Sequence, residues 1–226
     1  MSLDEAISSL RQGNFILLHD EGKRENEVDM VVAAEFVTPK HISRMRNDAG
    51  GLICMSINHE FATNLGIDYM HEILFNSQKL DSNSKKMIIG KAPYGDRPSF
   101  SISINHKNTF TGITDKDRAL TISEMTKLYN NKNANKKKIF NSNFKTPGHI
   151  PLLISSKGLL SNRLGHTEMS IYLMNLAGLT PVTVICEMLD SQTYSALSPK
   201  KAKKYANDHS LQYFDGSDLV KFFKEH

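Results

Sequence analysis

The chain has 226 residues, of which 39% are hydrophobic, enough to fill the core of one large domain or of two small ones. Its formal charge of +4 is a small excess, which argues against an extended basic surface and fits a phosphorylated small molecule at least as well as a nucleic acid. The sequence shows neither a signal-peptide core nor an apolar run of about 18 residues, so we predict a soluble, cytoplasmic protein with no membrane partner.

The two cysteines, Cys54 and Cys186, lie in the apolar runs GLICMSI and TVICEML. Such surroundings favour buried, reduced thiols over a disulfide or a metal site. A reducing compartment fits this pattern.

Helix and strand patterns alternate along the chain without an internal repeat. The first predicted elements in chain order are a helix over 3–10, strands at FILLH and MVVAAEF, and a helix at KHISRMRNDA opened by Thr38-Pro39. Strands at GLICMSI and SFSISIN follow, then a helix at DRALTISEMTKLYN capped by Thr114 or Asp115, and a strand at LLISS. The last elements are a helix at HTEMSIYLMNLAG, a strand at VTVICEML, a helix from Ser198-Pro199, a strand at LQYF and a final helix capped near Ser217.

Two polar stretches separate these elements. DEGKRENEVD is predicted as a loop, and NNKNANKKKIFNSN as a solvated loop or short linker, with a phosphate-binding patch as the alternative. A boundary between two domains at the second stretch is conceivable, but the short later elements favour one domain over residues 1–226. The pattern predicts an α+β protein, a single-domain α/β sandwich with a mixed sheet flanked by helices.

The stretch RENEVD places Arg24, Glu25 and Glu27 directly before a core strand. Glutamates two apart in an extended loop point the same way, so they can present oxygen ligands together, and the arginine offers a planar fork for phosphate or carboxylate. A surface ion-pair cluster is the alternative interpretation.

Three further motifs carry side chains suited to chemistry. PGH fixes His149 in a tight turn, although a histidine after glycine is also an ordinary loop residue. RLGHTE sets an arginine, a histidine, a threonine and a glutamate around a helix start, whose free amides attract anions, with a simple cap by Thr167 or a neighbour as the alternative. Glu187 follows the strand VTVIC, where active-site loops converge in α/β folds, although a strand can also end there in solvent.

Taken in order, RENE-x-D, GLIC, TDKDRALTI, PGH, RLGHTE and LAGLTPVTVICE resemble the motifs of the 3,4-dihydroxy-2-butanone 4-phosphate synthase family of riboflavin biosynthesis. The resemblance covers nearly the whole chain, and the joint occurrence of these motifs is far more specific than any one of them. No domain of GTP cyclohydrolase type follows the match, so the monofunctional form is expected.

The resemblance implies a metal-dependent lyase that converts D-ribulose 5-phosphate into L-3,4-dihydroxy-2-butanone 4-phosphate and formate. It also implies a single α+β sandwich that works as a homodimer, with active sites near the subunit interface. Magnesium, or manganese in its place, is the expected ion, and two ions per site are a further expectation.

The same resemblance assigns roles to residues. Glu25 and His166 match metal ligands, and His149 and Glu187 match residues essential for catalysis. The substrate-binding residues that it implies are Arg24, Glu25, Asp29, Arg163, Gly165, His166, Thr167 and Glu187.

The expected reaction needs these residue types. A hard divalent cation held by oxygen ligands and one imidazole stabilises enediolate charge, as Glu25 and His166 would allow, with Glu27 as a supporting or bridging oxygen. Successive proton transfers need a base and an acid of different character, which His149 and Glu187 supply. The phosphate needs cationic and amide donors away from the metal.

The chain departs from the family pattern at several positions. In HDEGKRENEVD, His19 stands in an acid's place, an extra residue falls around Gly22 and Lys23, and Val28 replaces a usual glycine. Losing the backbone freedom of glycine leads us to expect altered loop closure or metal affinity. Thr146 stands where arginine is common, and APYGDRPSF extends the family's AYGTxF pattern.

Three alternatives stay open from the sequence. The altered acidic loop is compatible with a non-catalytic partner protein. The same metal and phosphate groups would serve a lyase or isomerase acting on another ketose phosphate. The basic run Lys136–Lys138 suggests a nucleic-acid-binding module, but it lacks interleaved aromatic residues, so a solvated loop is favoured and no nucleic acid is expected.

Overall fold

The structure, a computed structural model, describes residues 2–20, 22, 24–88, 90–132 and 135–225. Its α-helices are α1 (Leu3–Arg11), α2 (Pro39–Arg44), α3 (His59–Leu65), α4 (Met70–Phe75), α5 (Asp115–Asn130), α6 (Lys136–Asn143), α7 (His166–Ala177), α8 (Pro199–Asp208) and α9 (Gly216–Glu225). Its strands are β1 (Ile16–His19), β2 (Val28–Ala33), β3 (Cys54–Ile57), β4 (Phe100–His106), β5 (Phe144–Ile154), β6 (Val182–Glu187), β7 (Leu189–Asp190), β8 (Ser195–Ala196) and β9 (Gln212–Asp215).

Seven of these strands form one mixed sheet in the order β4-β5-β3-β6-β2-β1-β9. The β1–β9 and β3–β5 pairs are parallel, and the other neighbours are antiparallel. Side chains alternate between the faces: in β2, Met30 and Val32 enter the core on one face, and Val31 and Ala33 enter the core on the other. Because both faces are buried, β2 is a nearly continuous apolar run.

Helices cover both faces of this sheet. Ile42 of α2, Phe61 of α3 and Ile122 of α5 pack into one core, while Leu10 of α1 and Leu173 of α7 pack into the other. The mixed sheet flanked by helices confirms the predicted α+β sandwich. In the described part of the chain, no helix is both long and apolar enough to cross a bilayer.

Most predicted elements are present. Thr114 accepts the capping hydrogen bond at the start of α5, and Gly178 ends α7 with a φ of +66°. Cys54 and Cys186 are buried and free, as the apolar surroundings predict.

Several element boundaries differ from the prediction. The strand β2 begins at Val28, inside the predicted loop, and α9 begins at Gly216, before the predicted cap Ser217. The helices α3 and α4 have no counterpart among the predicted elements, since their seven and six residues are too short for a clear apolar period.

The prediction of a loop at NNKNANKKKIFNSN is wrong for its second half. Asn135 caps α6 with its side chain, and Phe140 is buried, with its ring centroid 5.3 Å from that of Phe144. Packing of this aromatic pair therefore stabilises a short helix here, although the segment is rich in lysine. Asn133 and Ala134, within the same stretch, lie outside the described residues.

The prediction that PGH forms a tight turn is also wrong. The motif lies inside β5, where Thr146-Pro147 is a cis peptide and the register against β4 shifts. Asn105 of β4 accepts a hydrogen bond from the His149 amide at 2.8 Å. Such an irregularity accommodates a proline, which has no N–H for the ladder, so His149 is presented from a bulged strand.

Buried hydroxyl groups fix α7 to the centre of the sheet. Ser170 Oγ donates to the carbonyl of Thr167 at 3.1 Å and lies 2.9 Å from Thr183 Oγ1 of β6. Since the Ser170 proton is used within the helix, Thr183 is the donor of the second hydrogen bond. This pair joins the helix that begins at His166 to the strand that ends at Glu187.

We predict that Ser170→Ala lowers the free energy of unfolding by about 1–3 kcal/mol, because it leaves the buried Thr183 hydroxyl without an acceptor. Thr183→Val keeps the side-chain shape and removes that hydroxyl. The double variant should therefore be more stable than the sum of the two single effects predicts, which urea unfolding measures. Strict additivity would contradict the assigned pair.

Candidate active site

The loop between β1 and β2 is folded around one buried carboxylate. The side chain of Asp20 has no solvent exposure, and its two oxygens accept hydrogen bonds from the amides of Glu25 and Glu27, both at 2.9 Å. Arg24 Nη1 donates to the same side chain at 3.1 Å. Asp20 holds the backbone of this loop and thereby positions the charged side chains of the RENE motif.

Two departures from the family pattern, His19 and Val28, have defined places at the ends of this loop. His19 Nε2 lies 3.0 Å from Asn26 Oδ1, and His19 Nδ1 lies 3.6 Å from Asp215 Oδ2, so the histidine links the loop to β9. Val28 is the first residue of β2 and pairs with His19, in extended backbone that needs no glycine. Lys23, a third departure, lies outside the described residues.

His166 opens α7 and is 5% exposed. Its Nε2 lies 3.2 Å from the backbone oxygen of Glu27, while its Nδ1 lies 3.4 Å from Glu25 Oε2 and 3.8 Å from Asp29 Oδ2. Although burial alone would lower the pKa of His166, the carboxylates of Asp29 and Glu25 raise it to about 9. The imidazole is a positive centre in an acidic pocket.

The carboxylates around His166 differ in their ionisation. Burial raises the pKa of Asp29 to about 7, against the attraction of His166, and burial also raises the pKa of Glu27. Burial would likewise raise the pKa of Glu25, but hydrogen bonds from His166 and Tyr94 hold it well below its usual range. The Glu25 carboxylate therefore stays ionised.

A cavity of about 120 Å³ lies among the loop, the start of α7 and the ends of β2 and β6. Its charged lining consists of Glu25, Glu27, Asp29, Glu187, Arg163 and His166. Asp29 and Glu187 are directly opposite each other in the sheet, an arrangement of like charges that costs stability. Carboxylates outnumber basic groups here, which suits a bound cation.

Two guanidinium groups converge beside Gly165, the residue before α7. A methyl group there would overlap Arg163 Nη1 and would lie 3.0 Å from Arg24 Nη2. Arg163 Nη1 bonds Glu168 at 2.5 Å, while Arg24 Nη2 and Arg163 Nε are buried donors with no hydrogen-bond partner among the described residues. The N-cap of α7 is Gly165, which makes no side-chain hydrogen bond, so the cap is formed by a neighbour of Thr167 and not by Thr167 itself. Unpaired donors beside free helix amides form an anion-binding corner.

The site also uses side chains that the sequence does not assign. Asp20 holds the loop, the Tyr94 ring lies 4.7 Å from the Arg24 guanidinium carbon, and Asp96 Oδ2 accepts from Arg24 Nε at 2.8 Å. Burial raises the pKa of Tyr94 to about 12, and its hydroxyl is bonded to Glu25. Tyr94 and Asp96 belong to APYGDRPSF, a segment that sequence analysis identifies only as a departure from the family pattern. The location of this departure was the one sequence feature that pointed to the site, because tyrosine and aspartate are ordinary loop residues.

The structure brings most of the predicted site residues together. They are Arg24, Glu25, Asp29, Arg163, Gly165, His166, Thr167 and Glu187, and Glu187 Oε2 accepts from the Leu52 amide at 2.8 Å. His149 is the exception, because it is exposed on β5 and is not among the described residues that line the cavity.

Glu25 and His166 fit a divalent metal ion. Within the described residues, ligand atoms of Asp20, Glu25 and His166 all lie within 4.8 Å of one another. Asp20 is the poorest candidate, because its oxygens already accept backbone hydrogen bonds. The backbone oxygen of Glu27 holds His166 Nε2 and leaves Nδ1 towards Glu25, the arrangement typical of a metal-bound histidine. Asp29 Oδ1, which is buried and has no hydrogen-bond partner in the part of the chain that the structure describes, is a further oxygen nearby.

The fold and this site define an α+β enzyme with an acidic, metal-compatible cavity beside an anion-binding corner. The family model of 3,4-dihydroxy-2-butanone 4-phosphate synthase matches residues 4–222. A synthase of that name from Methanothermobacter thermautotrophicus is 43% identical over 99% of this chain and 96% of its own length, and one from Archaeoglobus fulgidus is 38% identical over 100% and 95%. The chain belongs to the 3,4-dihydroxy-2-butanone 4-phosphate synthase family and is an enzyme of that family.

Solved structures agree with this assignment. A crystal structure of a 3,4-dihydroxy-2-butanone 4-phosphate synthase in complex with two magnesium ions matches with a TM-score of 0.81 at 26% identity, covering 100% of this chain and 97% of that one. Two Bacillus relatives, 32% identical, are named as riboflavin biosynthesis proteins, and this chain spans 49% of their length. The comparisons confirm the resemblance given by the motifs, and the chain covers nearly the full length of the relatives from Methanothermobacter and Archaeoglobus.

We predict that Gly165→Ala folds but loses activity. The φ of −98° at this position suits alanine, so the backbone is not strained, but displacing Arg163 from the buried Glu168 carboxylate should lower the midpoint of thermal unfolding by several degrees. The new methyl group must displace the ends of Arg163 and Arg24, and a shift of about 1 Å at a substrate contact can cost about 10²-fold in rate. Gly90→Ala is the matched control, since a methyl group there meets nothing within 4 Å. Full synthase activity in Gly165→Ala would contradict the converging arginines.

Proposed function

We propose that the chain is a metal-dependent lyase that converts D-ribulose 5-phosphate into L-3,4-dihydroxy-2-butanone 4-phosphate and formate in riboflavin biosynthesis. The observation that carries the proposal is the position of Arg24. Its Nη1 lies 2.7 Å from Glu25 Oε2, and its Nη2 reaches the corner beside Gly165. One residue thus joins a metal-compatible carboxylate to a phosphate-compatible corner.

Glu25 and His166 would hold magnesium, or manganese, as one or two ions per site. The bound ion supplies charge stabilisation for neighbouring sugar oxygens that become negative during the reaction. Glu25 suits this role because its carboxylate stays ionised, and Glu27 supports the imidazole through its backbone oxygen.

Arg24, Arg163 and the turn from Gly165 to Thr167 would hold the substrate and its phosphate. Arginine offers a planar set of N–H donors that matches phosphate oxygens, and the first amides of a helix favour negative charge. Glu168 fixes the direction of Arg163 by accepting from Nη1 while its other oxygen accepts from the amide of Ser156 at 2.8 Å.

Glu187 and His149 would transfer protons, and Asp29 would contact the substrate. Glu187 is anchored by the Leu52 amide at the end of β6, which keeps one oxygen free to face the cavity. Asn105 accepts from the His149 amide, and its side-chain nitrogen lies 3.1 Å from His149 Nδ1. The exposed imidazole therefore keeps Nε2 for a partner from outside this chain's cavity. A histidine and a carboxylate can act as an acid and base pair in successive steps.

We infer a homodimer in which His149 serves the site of the second copy. Asn105, which bonds His149, packs against Gly112, whose loop carries the exposed Phe110 and Ile113. Leu52, which bonds Glu187, is also exposed. Exposed apolar side chains beside both groups favour burial against another subunit.

We further propose that residues 1–226 form one functional domain and that the enzyme works in the cytoplasm, where free cysteines persist.

Formate release from D-ribulose 5-phosphate tests the proposed reaction. The parent protein should release formate with magnesium and lose that activity when a chelator is added. His149→Ser should lower the rate by roughly 10²-fold or more, because a proton-transfer group is removed. His209→Ser, which changes an exposed histidine at the C-terminal end of α8, is the matched control and should stay at the parent rate. A folded, magnesium-loaded parent that releases no formate would exclude this substrate.

Mixing two inactive variants tests the shared site. His149→Ser and Glu25→Gln each damage a different part of the site, and a hybrid dimer would contain one site with both changes and one site with neither. Equal mixing should then restore about a quarter of the parent activity after subunit exchange. Activity that stays at the level of the single variants would place His149 and Glu25 in the site of one chain.

A further inference from the structure

The loop over residues 92–98, which we call the 92–98 loop, lies on the charged site. It is closed on itself by hydrogen bonds from the Ala92 amide to the Asp96 carbonyl at 2.7 Å and from the Gly95 amide to the Ala92 carbonyl at 2.8 Å. Gly95 has a φ of +95°, a conformation that glycine adopts readily. This compact turn carries the Asp96 side chain to the anion-binding corner.

Asp96 stands where an anionic ligand of that corner would stand. Its Oδ2 accepts from Arg24 Nε at 2.8 Å and lies 3.9 Å from Arg163 Nε. The side chains of Arg24 and Arg163 are 7% and 13% exposed, whereas that of Asp96 is 28% exposed. The carboxylate therefore approaches two buried guanidinium groups from the solvent side.

The two guanidinium groups retain donors that Asp96 does not use. Arg24 Nη2 and Arg163 Nε are buried and have no hydrogen-bond partner in the described part of the chain. With the Asp96 carboxylate removed, Arg24 Nε becomes a third free donor beside the first amides of α7. Three donors and a helix start match the three terminal oxygens of a phosphoryl group better than they match one carboxylate.

We propose that Asp96 is a built-in anion that occupies the corner when no ligand is bound, and that a phosphoryl group binds by displacing it. The proposal rests on the proposed function, in which both substrate and product carry a phosphate. Displacement releases the side-chain contacts of Asp96, which go only to these arginines in the described structure, and an outward movement of the 92–98 loop also releases the contacts of Tyr94 with Arg24 and Glu25. The returning carboxylate then competes with the phosphate of the product and favours its release.

Binding of inorganic phosphate to the full chain at one fixed magnesium concentration tests this directly by calorimetry. Asp96→Asn and Asp96→Ala should each bind phosphate about 5-fold more tightly or better, because a competing charge-assisted contact is gone. Asp96→Glu keeps the charge and should bind close to the parent affinity. Glu72→Gln is the matched control, since it removes a carboxylate that contacts Arg97 of the same loop at 3.4 Å but no arginine of the corner.

In formate release, Asp96→Asn should show a lower KM without a matching rise in kcat, a split that simple loss of structure does not produce. Equal or weaker phosphate binding in both Asp96→Asn and Asp96→Ala, or no measurable binding in any variant, would overturn the proposal. Failure of the parent to release formate would instead count against the proposed reaction, because phosphate affinity is measured without turnover.

Discussion

The site depends on the buried carboxylate of Asp20. An ionisable side chain without solvent contact is stable only when its oxygens are fully paired, and here they accept from two backbone amides and from Arg24. These hydrogen bonds fix the direction in which Glu25 and Glu27 leave the loop. The sheet continues the arrangement, because β2 places Asp29 opposite Glu187, and α7 adds His166 from the facing layer.

The resulting cluster of charged groups lowers the stability of the folded protein. Asp29 has a pKa raised by burial to about 7, and one of its oxygens has no hydrogen-bond partner among the described groups. Two adjacent strands also hold like charges face to face. Unfavourable electrostatics of this kind are concentrated where a ligand or ion completes the structure, so the same features that weaken the free protein favour a bound cation. On the other side of Arg24, buried guanidinium donors favour an anion.

Sequence reasoning predicts the parts of this arrangement that are local. RENEVD and RLGHTE each place several functional groups within six residues, so their chemistry can be read without the fold, and the apolar periods of α5 and α7 are long enough to define those helices. Contacts between distant segments are not predicted in this way. The hydrogen bonds of Asp20 and the approach of Asp96 to Arg24 join residues whose types are common in ordinary loops.

Two wrong predictions have physical reasons of the same kind. PGH has the composition of a turn, but β4 supplies Asn105 to hold the His149 amide, so the motif remains within an irregular strand. The lysine-rich stretch before β5 has the composition of a loop, but burial of Phe140 stabilises a helix there. In both places tertiary contacts outweigh the local conformational preference of the segment. Such contacts cannot be predicted from the pattern of a single sequence.

Glu25 and His166 are the proposed ligands of the metal ion, and anomalous diffraction from crystals soaked with manganese tests this assignment. We expect a peak within about 2.0–2.3 Å of a Glu25 oxygen and of His166 Nδ1, with the contact between these two side chains replaced by the ion. A saturating soak that leaves this contact intact, or a peak on other side chains, would contradict it.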